Sequence, residues 1–254
     1  MSDSPDTDSP SADALARAAA LVAEAAKVCV FSGAGMSAES GIPTFRDALT
    51  GLWENYDPTD LASPAGWRRD PDLVWGWYRD RAVRLREVAP NDGHLAIAEL
   101  ERLKRASTGR VSVVTQNVDD LHERAGSTVT AHLHGSLLGP RCEACAHRGE
   151  AKLSLAAERP RCPECGASLR PDIVWFGEML PEREWHSASE AVAACDLLIV
   201  IGTSGVVRPA ADLPLLAAES GTPIIEVNPE PSALTPLATV YVESTAAVAL
   251  PAII

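Results

Sequence analysis

Between Lys27 and Gly41 the chain reads KVCVFSGAGMSAESG, and this stretch limits the fold more than any other. Val28, Cys29, Val30 and Phe31 form a short apolar run of β-forming residues that stops abruptly at Ser32-Gly33-Ala34-Gly35. The pattern predicts a strand, a tight turn and a helix opening at Ser37, whose hydroxyl suits an N-cap. Gly33, Gly35 and the small Ala38 fit the spacing G-x-G-x-x-G/A. Glycines in such a turn permit the reversal and let the backbone approach a pyrophosphate, while free helix N–H groups face the anion. The same glycines could merely end a strand, so the rest of the chain has to decide.

Three further runs repeat the theme. VSVVTQN ends in Thr115-Gln116-Asn117 with Asp119 just beyond, DLLIVIGTS ends in Gly202-Thr203-Ser204, and TPIIEVN ends in Glu226 and Asn228. Helical patterns at 13–26, 72–88 and 93–106 punctuate these runs. Short apolar strands separated by helices assemble as a parallel sheet with helices on both faces, an α/β fold of Rossmann-like kind. Polar carboxyl ends on four such strands are what the binding crevice of an open α/β sheet requires. A hydride-transferring enzyme of this architecture wants an acidic residue about 20 positions past the glycines, at the end of a second strand. Here that region is TFRDALTGLWENYD, with acids but no preceding strand, so a dehydrogenase is the weaker reading.

Cys142-x2-Cys145 and Cys162-x2-Cys165 are separated by 16 residues, inside the spacing of a four-thiolate zinc ribbon. Four thiolates close the tetrahedral shell, so a Zn2+ ion held there is structural. Cys29 and Cys195 lie in or beside apolar runs and read as core residues. Thirty-five acidic against 22 basic residues leave the 254-residue chain at a net charge of −13, which argues against a nucleic-acid partner, because such affinity is carried by clustered Lys and Arg. Neither a basic leader followed by an apolar stretch nor an apolar run of about 18 residues occurs, so a cytoplasmic protein without a membrane partner is expected. Residues 1–12, acidic and rich in Ser and Pro, are expected to be a disordered tail. Segment 53–90 holds four of the six Trp and two of the three Tyr. In its helix, Tyr78 and Arg81 stand three apart on one face, a pairing that on spacing alone is more often a packed face than a ligand site.

Read together and in order, GAGMSAESGIPTFRD, TQNVDDLHERAG, HLHGS, the two Cys pairs, VWFGE, GTSGVV and EVN make the chain resemble the sirtuin family of NAD-dependent protein lysine deacylases from about Lys27 to its end. The resemblance implies a Rossmann-like NAD-binding domain from 13–41, 91–134 and 181–254. A small domain would be built from a helical insertion at 42–90 and a zinc-binding insertion at 135–180. It implies that NAD+ is consumed as co-substrate and that His134 is the general base, preferred over His132. Asn117 and Asp119 would line the nicotinamide end, with Gln116 on the same ribose. Phe45 and Arg46 match the cofactor loop. Gly33, Ala34, Gly35, Ala38 and Glu39 would line the pyrophosphate, while Gly202, Thr203, Ser204, Asn228 and the backbone near Ala246 would hold the adenosine half. Val174, Phe176, Gly177 and Glu178 on one side and Val206 on the other resemble the edges between which the family holds an acyl-lysine peptide as an added strand.

The resemblance extends to the acyl group. Tyr78 and Arg81 match the Tyr-x-x-Arg pair of sirtuins active on negatively charged acyl-lysines, and Ala62 matches the small residue that leaves room for a longer chain. Succinyl or malonyl removal, with some deacetylation and release of nicotinamide and O-acyl-ADP-ribose, is therefore expected. A mono-ADP-ribosyltransferase or NAD hydrolase is the alternative, and a non-catalytic scaffold the third reading. The oligomeric state is not legible, and a monomer is the default.

Overall fold

The computed structural model describes residues 10–43 and 57–254. Its centre is a six-stranded parallel sheet formed by β1 (Lys27–Ser32), β2 (Arg110–Thr115), β3 (Val129–His132), β6 (Leu197–Ile201), β7 (Ile224–Asn228) and β8 (Val240–Glu243), in the order β3-β2-β1-β6-β7-β8. Numbered among themselves, these strands run 3-2-1-4-5-6, the doubly wound order in which strand direction of travel reverses between the first and fourth. Here that reversal falls between β1 and β6, so the glycine turn after β1 and the Gly202 turn after β6 sit side by side at the mouth of the crevice. The short strands β3 and β8 join the sheet although neither was legible as a strand, because each is only four residues long.

One face of the sheet is covered by α1 (Ala12–Glu24), α6 (Asp92–Ala106) and α10 (Ala246–Ile253), whose apolar sides pack with Met36, Val30 and Ile199 in one continuous core. The other face is covered by α8 (Glu182–Ala194) and α9 (Leu213–Glu219), against Phe31, Val200 and Leu198. Cys29 is fully buried in this second core and Cys195 packs against it. Strands that are apolar on both faces are what such double coverage demands.

Between β1 and α6 come α2 (Gly35–Ala38), α3 (Pro58–Leu61), α4 (Pro64–Arg69) and α5 (Pro71–Glu87). Ser63 and Asp70 cap the last two through the N–H groups of Gly66 and Leu73, and each has Pro at its first position; only α5 was legible in the sequence, as the helical pattern at 72–88. After β2, α7 (Leu121–Ala125) leads to β3, and β4 (Gly135–Cys142) pairs antiparallel with β5 (Leu169–Ile173) in a separate two-stranded sheet. Leu61, Trp67, Trp75, Trp77 and Leu85 of the helical segment share one core with Leu121, Leu137, Ile173 and Trp175. The concentration of tryptophan read from the sequence is thus mainly the packing of the helices onto β4–β5.

The helix expected to open at Ser37 is instead the single turn α2, whose N-cap is Ala34. Ser37 lies inside it, buried, and its hydroxyl donates to the carboxylate of Asp119 at 2.9 Å. A buried carboxylate needs a donor more than an exposed helix end does, since the helix end can use water.

Candidate functional site

A cavity of about 280 Å³ opens where the carboxyl ends of β1 and β2 meet the β4–β5 sheet and α5. Its floor is polar. Asn117 Nδ2 donates to Ser37 Oγ at 3.1 Å, and Ser37 in turn donates to Asp119 Oδ2. His94 Nδ1 accepts the Asn91 N–H that starts α6, so its proton sits on Nε2, 3.5 Å from Ser37 Oγ. Behind it, His122 Nε2 lies 3.0 Å from Ser32 Oγ, which donates to Thr115 Oγ1 at 2.9 Å. Burial lowers the pKa of His94 to about 4, and burial, followed by the neighbouring His94, lowers that of His122 to about 3. Both are neutral props under the floor. Asp119 is pushed up by burial, against the Leu121 N–H and Ser37 hydroxyl that favour its charged form.

His134 occupies the wall. Its Nδ1 lies 3.1 Å from the carbonyl of Gln116 and can only donate to it, which leaves Nε2 as the acceptor nitrogen, with no partner among the described residues. Burial lowers its pKa, only partly countered by the Gln116 carbonyl, so at neutral pH the imidazole is uncharged and able to take a proton. His132 faces elsewhere: its Nε2 meets Glu123 at 2.6 Å, and although burial disfavours charge, that carboxylate raises its pKa. β3 ends at His132 and the chain turns at Leu133–His134, so the two histidines of HLHGS do not continue on one strand face but part company at the turn.

Ala62, Tyr78 and Arg81 line the far end, with Trp77 and Trp175 beside them. The Arg81 Nε and Nη1 atoms are buried with no hydrogen-bond partner among the described residues, and the guanidinium lies over the Trp77 ring at 4.8 Å. Burial lowers the Arg81 pKa and raises that of Tyr78. Val174, Phe176 and Gly177 form one rim, and Val207, Arg208 and Pro209 the other, where Val206 itself stands exposed. The Val174 N–H donates to the His134 carbonyl at 3.0 Å and the Phe176 N–H to the Ala62 carbonyl at 2.9 Å, which ties this rim to both the base and the far pocket.

Toward β6 and β7, Gly33, Gly35 and Gly202 interlock. A Cβ on Gly33 would stand 2.7 Å from the Gly202 carbonyl, and one on Gly35 2.6 Å from the Gly202 Cα. The glycines are thus required first by the meeting of two turns at the reversal of the sheet. Ala34 lines the cavity, whereas Ala38 is exposed beside it. Gln116 also lines the cavity and donates to Thr203 Oγ1 at 3.0 Å, Asn228 donates to the Thr203 carbonyl at 2.8 Å, and Ser204 is exposed. Two residues expected to face ligand also have protein partners. Glu39 caps α10, accepting from Thr245 Oγ1 at 2.9 Å and from the Ala247 N–H at 2.8 Å, because a helix N-terminus attracts a carboxylate. That cap also fixes Ala246, the buried first residue of α10. Glu178, which also lines the cavity, pairs with Arg170 at 2.6 Å and accepts the Trp175 N–H at 2.9 Å, so it helps shape the rim. Phe45 and Arg46 lie outside the described residues.

Cys142, Cys145, Cys162 and Cys165 converge with all four Sγ atoms within 4.8 Å of one another, and the closer pairs are at 3.5–3.7 Å. Thiolates around a tetrahedral zinc at about 2.3 Å stand roughly 3.8 Å apart, so the donor set fits. The Ala144 N–H donates to Cys142 Sγ at 3.3 Å, the kind of outer support such sites use.

A model of the Sir2 family matches residues 33–209, which takes in the glycine turn, His134 and all four cysteines. The chain belongs to the Sir2 family. It is 51% identical over 234 residues to an NAD-dependent protein deacylase of Mycobacterium tuberculosis, covering 90% of this chain and 96% of that one. It is 53% identical over 222 residues to NAD-dependent protein deacylase 1 of Pseudomonas aeruginosa, covering 83% and 86%. Among solved structures it is similar to a Sir2 homologue in complex with NAD, with a TM-score of 0.88 at 43% identity over 97% of this chain and 94% of that one. It is also similar to Sir2Af2 bound to a myristoylated histone peptide, with a TM-score of 0.76 at 35% identity over 95% and 94%. Sequence reasoning passed over Ser37, except as a cap, and His94, His122 and Trp175. His122 lies inside a motif and had a signal. Trp175 likewise lies inside VWFGE, whereas His94 carries no signal that distinguishes it from a core residue. No described helix is long and apolar enough to cross a membrane.

Proposed function

We propose that the chain, an NAD-dependent protein deacylase of the Sir2 family, acts by preference on lysines carrying short acidic acyl groups, succinyl and malonyl above all. The observation that carries this is the Arg81 guanidinium, buried at the closed end of the cavity with Nε and Nη1 unpartnered. A buried, unpaired cation is costly, and a carboxylate at the end of an acyl chain is the group that satisfies it. Tyr78 stands beside it, and Ala62 leaves the length such a chain needs. NAD+ supplies the bond from nicotinamide to ribose, whose cleavage lets the acyl amide oxygen attack the ribose carbon. His134 Nε2 takes the proton from a ribose hydroxyl, while Nδ1 is held by Gln116 in the tautomer that keeps Nε2 free. Asn117 and Asp119, fixed through Ser37, meet the nicotinamide end. The strand tips at Gly33–Gly35 and Gly202–Ser204, with Asn228, hold the rest of the dinucleotide. A peptide lies between Val174–Gly177 and Val206–Val207 as an added strand. The zinc ribbon and 42–90 together form the small domain that carries the acyl end of the site.

Steady-state kinetics on one peptide carrying acetyl-, succinyl- or malonyl-lysine, with and without NAD+, test this. Higher kcat/KM for the acidic acyls, strictly dependent on NAD+, is expected. Equal or better use of acetyl-lysine would refute the acyl preference, and turnover without NAD+ the mechanism.

A further inference from the structure

The geometry points to Trp175 as a specificity-positioning residue, whose indole N–H fixes the Tyr78 hydroxyl as a proton donor to the distal carboxylate of an acidic acyl-lysine. This rests on the acidic-acyl reading of the pocket. Trp175 Nε1 lies 3.0 Å from Tyr78 Oη, and both residues are almost wholly buried while lining the cavity. An indole N–H can only donate, so the phenol oxygen is the acceptor in this bond, without ambiguity of tautomer or rotamer. The phenol's own proton is then left for another partner. Among the described residues no acceptor takes it. The open side of the hydroxyl is the cavity, three residues from the unpartnered Arg81, so an anion there meets a donor from each.

The bond also strengthens what it orients. A hydroxyl that accepts from one donor becomes a better donor in turn, because the two bonds polarise each other. In agreement, the Trp175 bond acts to favour the ionised form of Tyr78 even though burial, the larger effect, disfavours it.

Trp175 is itself held with unusual care. The Arg170 guanidinium lies 3.4 Å from the centre of its ring and donates to the Ile173 carbonyl at 3.0 Å and to Glu178 at 2.6 and 3.0 Å. Glu178 closes the circle by accepting the Trp175 backbone N–H. Arg170 belongs to β5, the strand that follows the second cysteine pair. A rigid path of ion pair, ring and indole bond therefore runs from the zinc-bearing sheet to the acyl end of the cavity. The bond to Tyr78 also gives the buried indole N–H the acceptor it needs, so the hydroxyl and the indole hold each other in place.

Trp175→Phe keeps most of the ring and deletes the donor. Its ratio of kcat/KM for succinyl- over acetyl-lysine peptide is expected to fall about fivefold relative to the parent, mostly through KM for the succinyl peptide, as loss of one hydrogen bond allows. In a Tyr78→Phe background the same substitution should change the ratio less than about twofold, since the bond is already absent. An equal fall in both backgrounds, or no fall with Tyr78 present, would overturn the inference. Should Trp175→Phe not fold, the indole 15N–1H signals of the parent protein decide. The signal that moves on Tyr78→Phe must also move when succinyl-lysine peptide, and not acetyl-lysine peptide, is added, and a signal indifferent to the acyl group would overturn the inference. A parent enzyme that does not favour succinyl-lysine would remove the pocket reading and this inference with it. A parent that favours it through Arg81 but not through Trp175 would remove the inference alone.

Discussion

Arg81→Met should weaken the enzyme and strengthen the protein. In the ligand-free cavity, the buried Nε and Nη1 make no hydrogen bond, and each such donor costs about 1–3 kcal/mol. Stacking of the guanidinium over Trp77 returns about 0.5–2 kcal/mol. Met has nearly the same reach, leaves no donor unpaired and keeps contact with the ring, so the two donors' cost less the lost stacking leaves a net gain in stability of about 1–4 kcal/mol, the range seen when buried charges are replaced. For a chain of this size each kcal/mol is about 2–4 °C in Tm. Against substrate the sign reverses. A charge-assisted bond to a carboxylate contributes about 1.5–3 kcal/mol, so kcat/KM for succinyl-lysine peptide should fall roughly 10- to 150-fold. Acetyl-lysine has no carboxylate to lose, and its kcat/KM should move far less. Scanning calorimetry and peptide kinetics on the same preparation read both effects. A lower Tm together with an equal loss on both acyl groups would mean that Arg81 is structural, and the reasoning would be refuted.

Three other expectations follow from the same geometry. His94 and His122, neutral at about 4 and about 3 against 6.5 for an open imidazole, contribute stability that is complete above pH 6.5 and is lost as pH falls toward those values. Urea unfolding at pH 5 should therefore give a ΔG about 3 kcal/mol below that at pH 7. His132, raised by Glu123, acts oppositely and only above about pH 6.5, and a pH-independent ΔG between 5 and 7 would contradict the buried pair. Gly202→Ala puts a Cβ 2.4 Å from the Met36 amide nitrogen at a φ of +58°, and should cost about 2–4 kcal/mol and raise KM for NAD+. Wild-type stability in that variant would show that the two turns do not interlock. Stripping zinc with a strong chelator should loosen β4–β5, lower Tm and abolish turnover until zinc is restored; full activity in metal-free protein would show that the thiolates need no ion.

Local signals carried a large share of this protein. The apolar runs ending at Ser32, Thr115, Ile201 and Asn228 specify buried parallel strands, since nothing else hides such residues on both faces. The helical pattern at 72–88 specifies α5, and two Cys-x2-Cys pairs specify four ligands, because side-chain periodicity and metal geometry act over a few residues. His134 was distinguishable from His132 by its place in a motif, and the turn at Leu133–His134, just past the end of β3, is the physical reason that the two diverge. What the local code could not decide were the partners of side chains with more than one possible use. Glu39 suits a pyrophosphate site by position but is claimed by the N-terminus of α10, more than 200 residues away. Glu178 suits a peptide rim but is claimed by Arg170, and Ser37 suits a cap but is claimed by Asp119. Tyr78 and Arg81 read as a packed face or a ligand pair until folding buried the guanidinium and gave it no acceptor. Each of these outcomes is a contest between a nearby donor and a distant one, and only tertiary structure sets those distances.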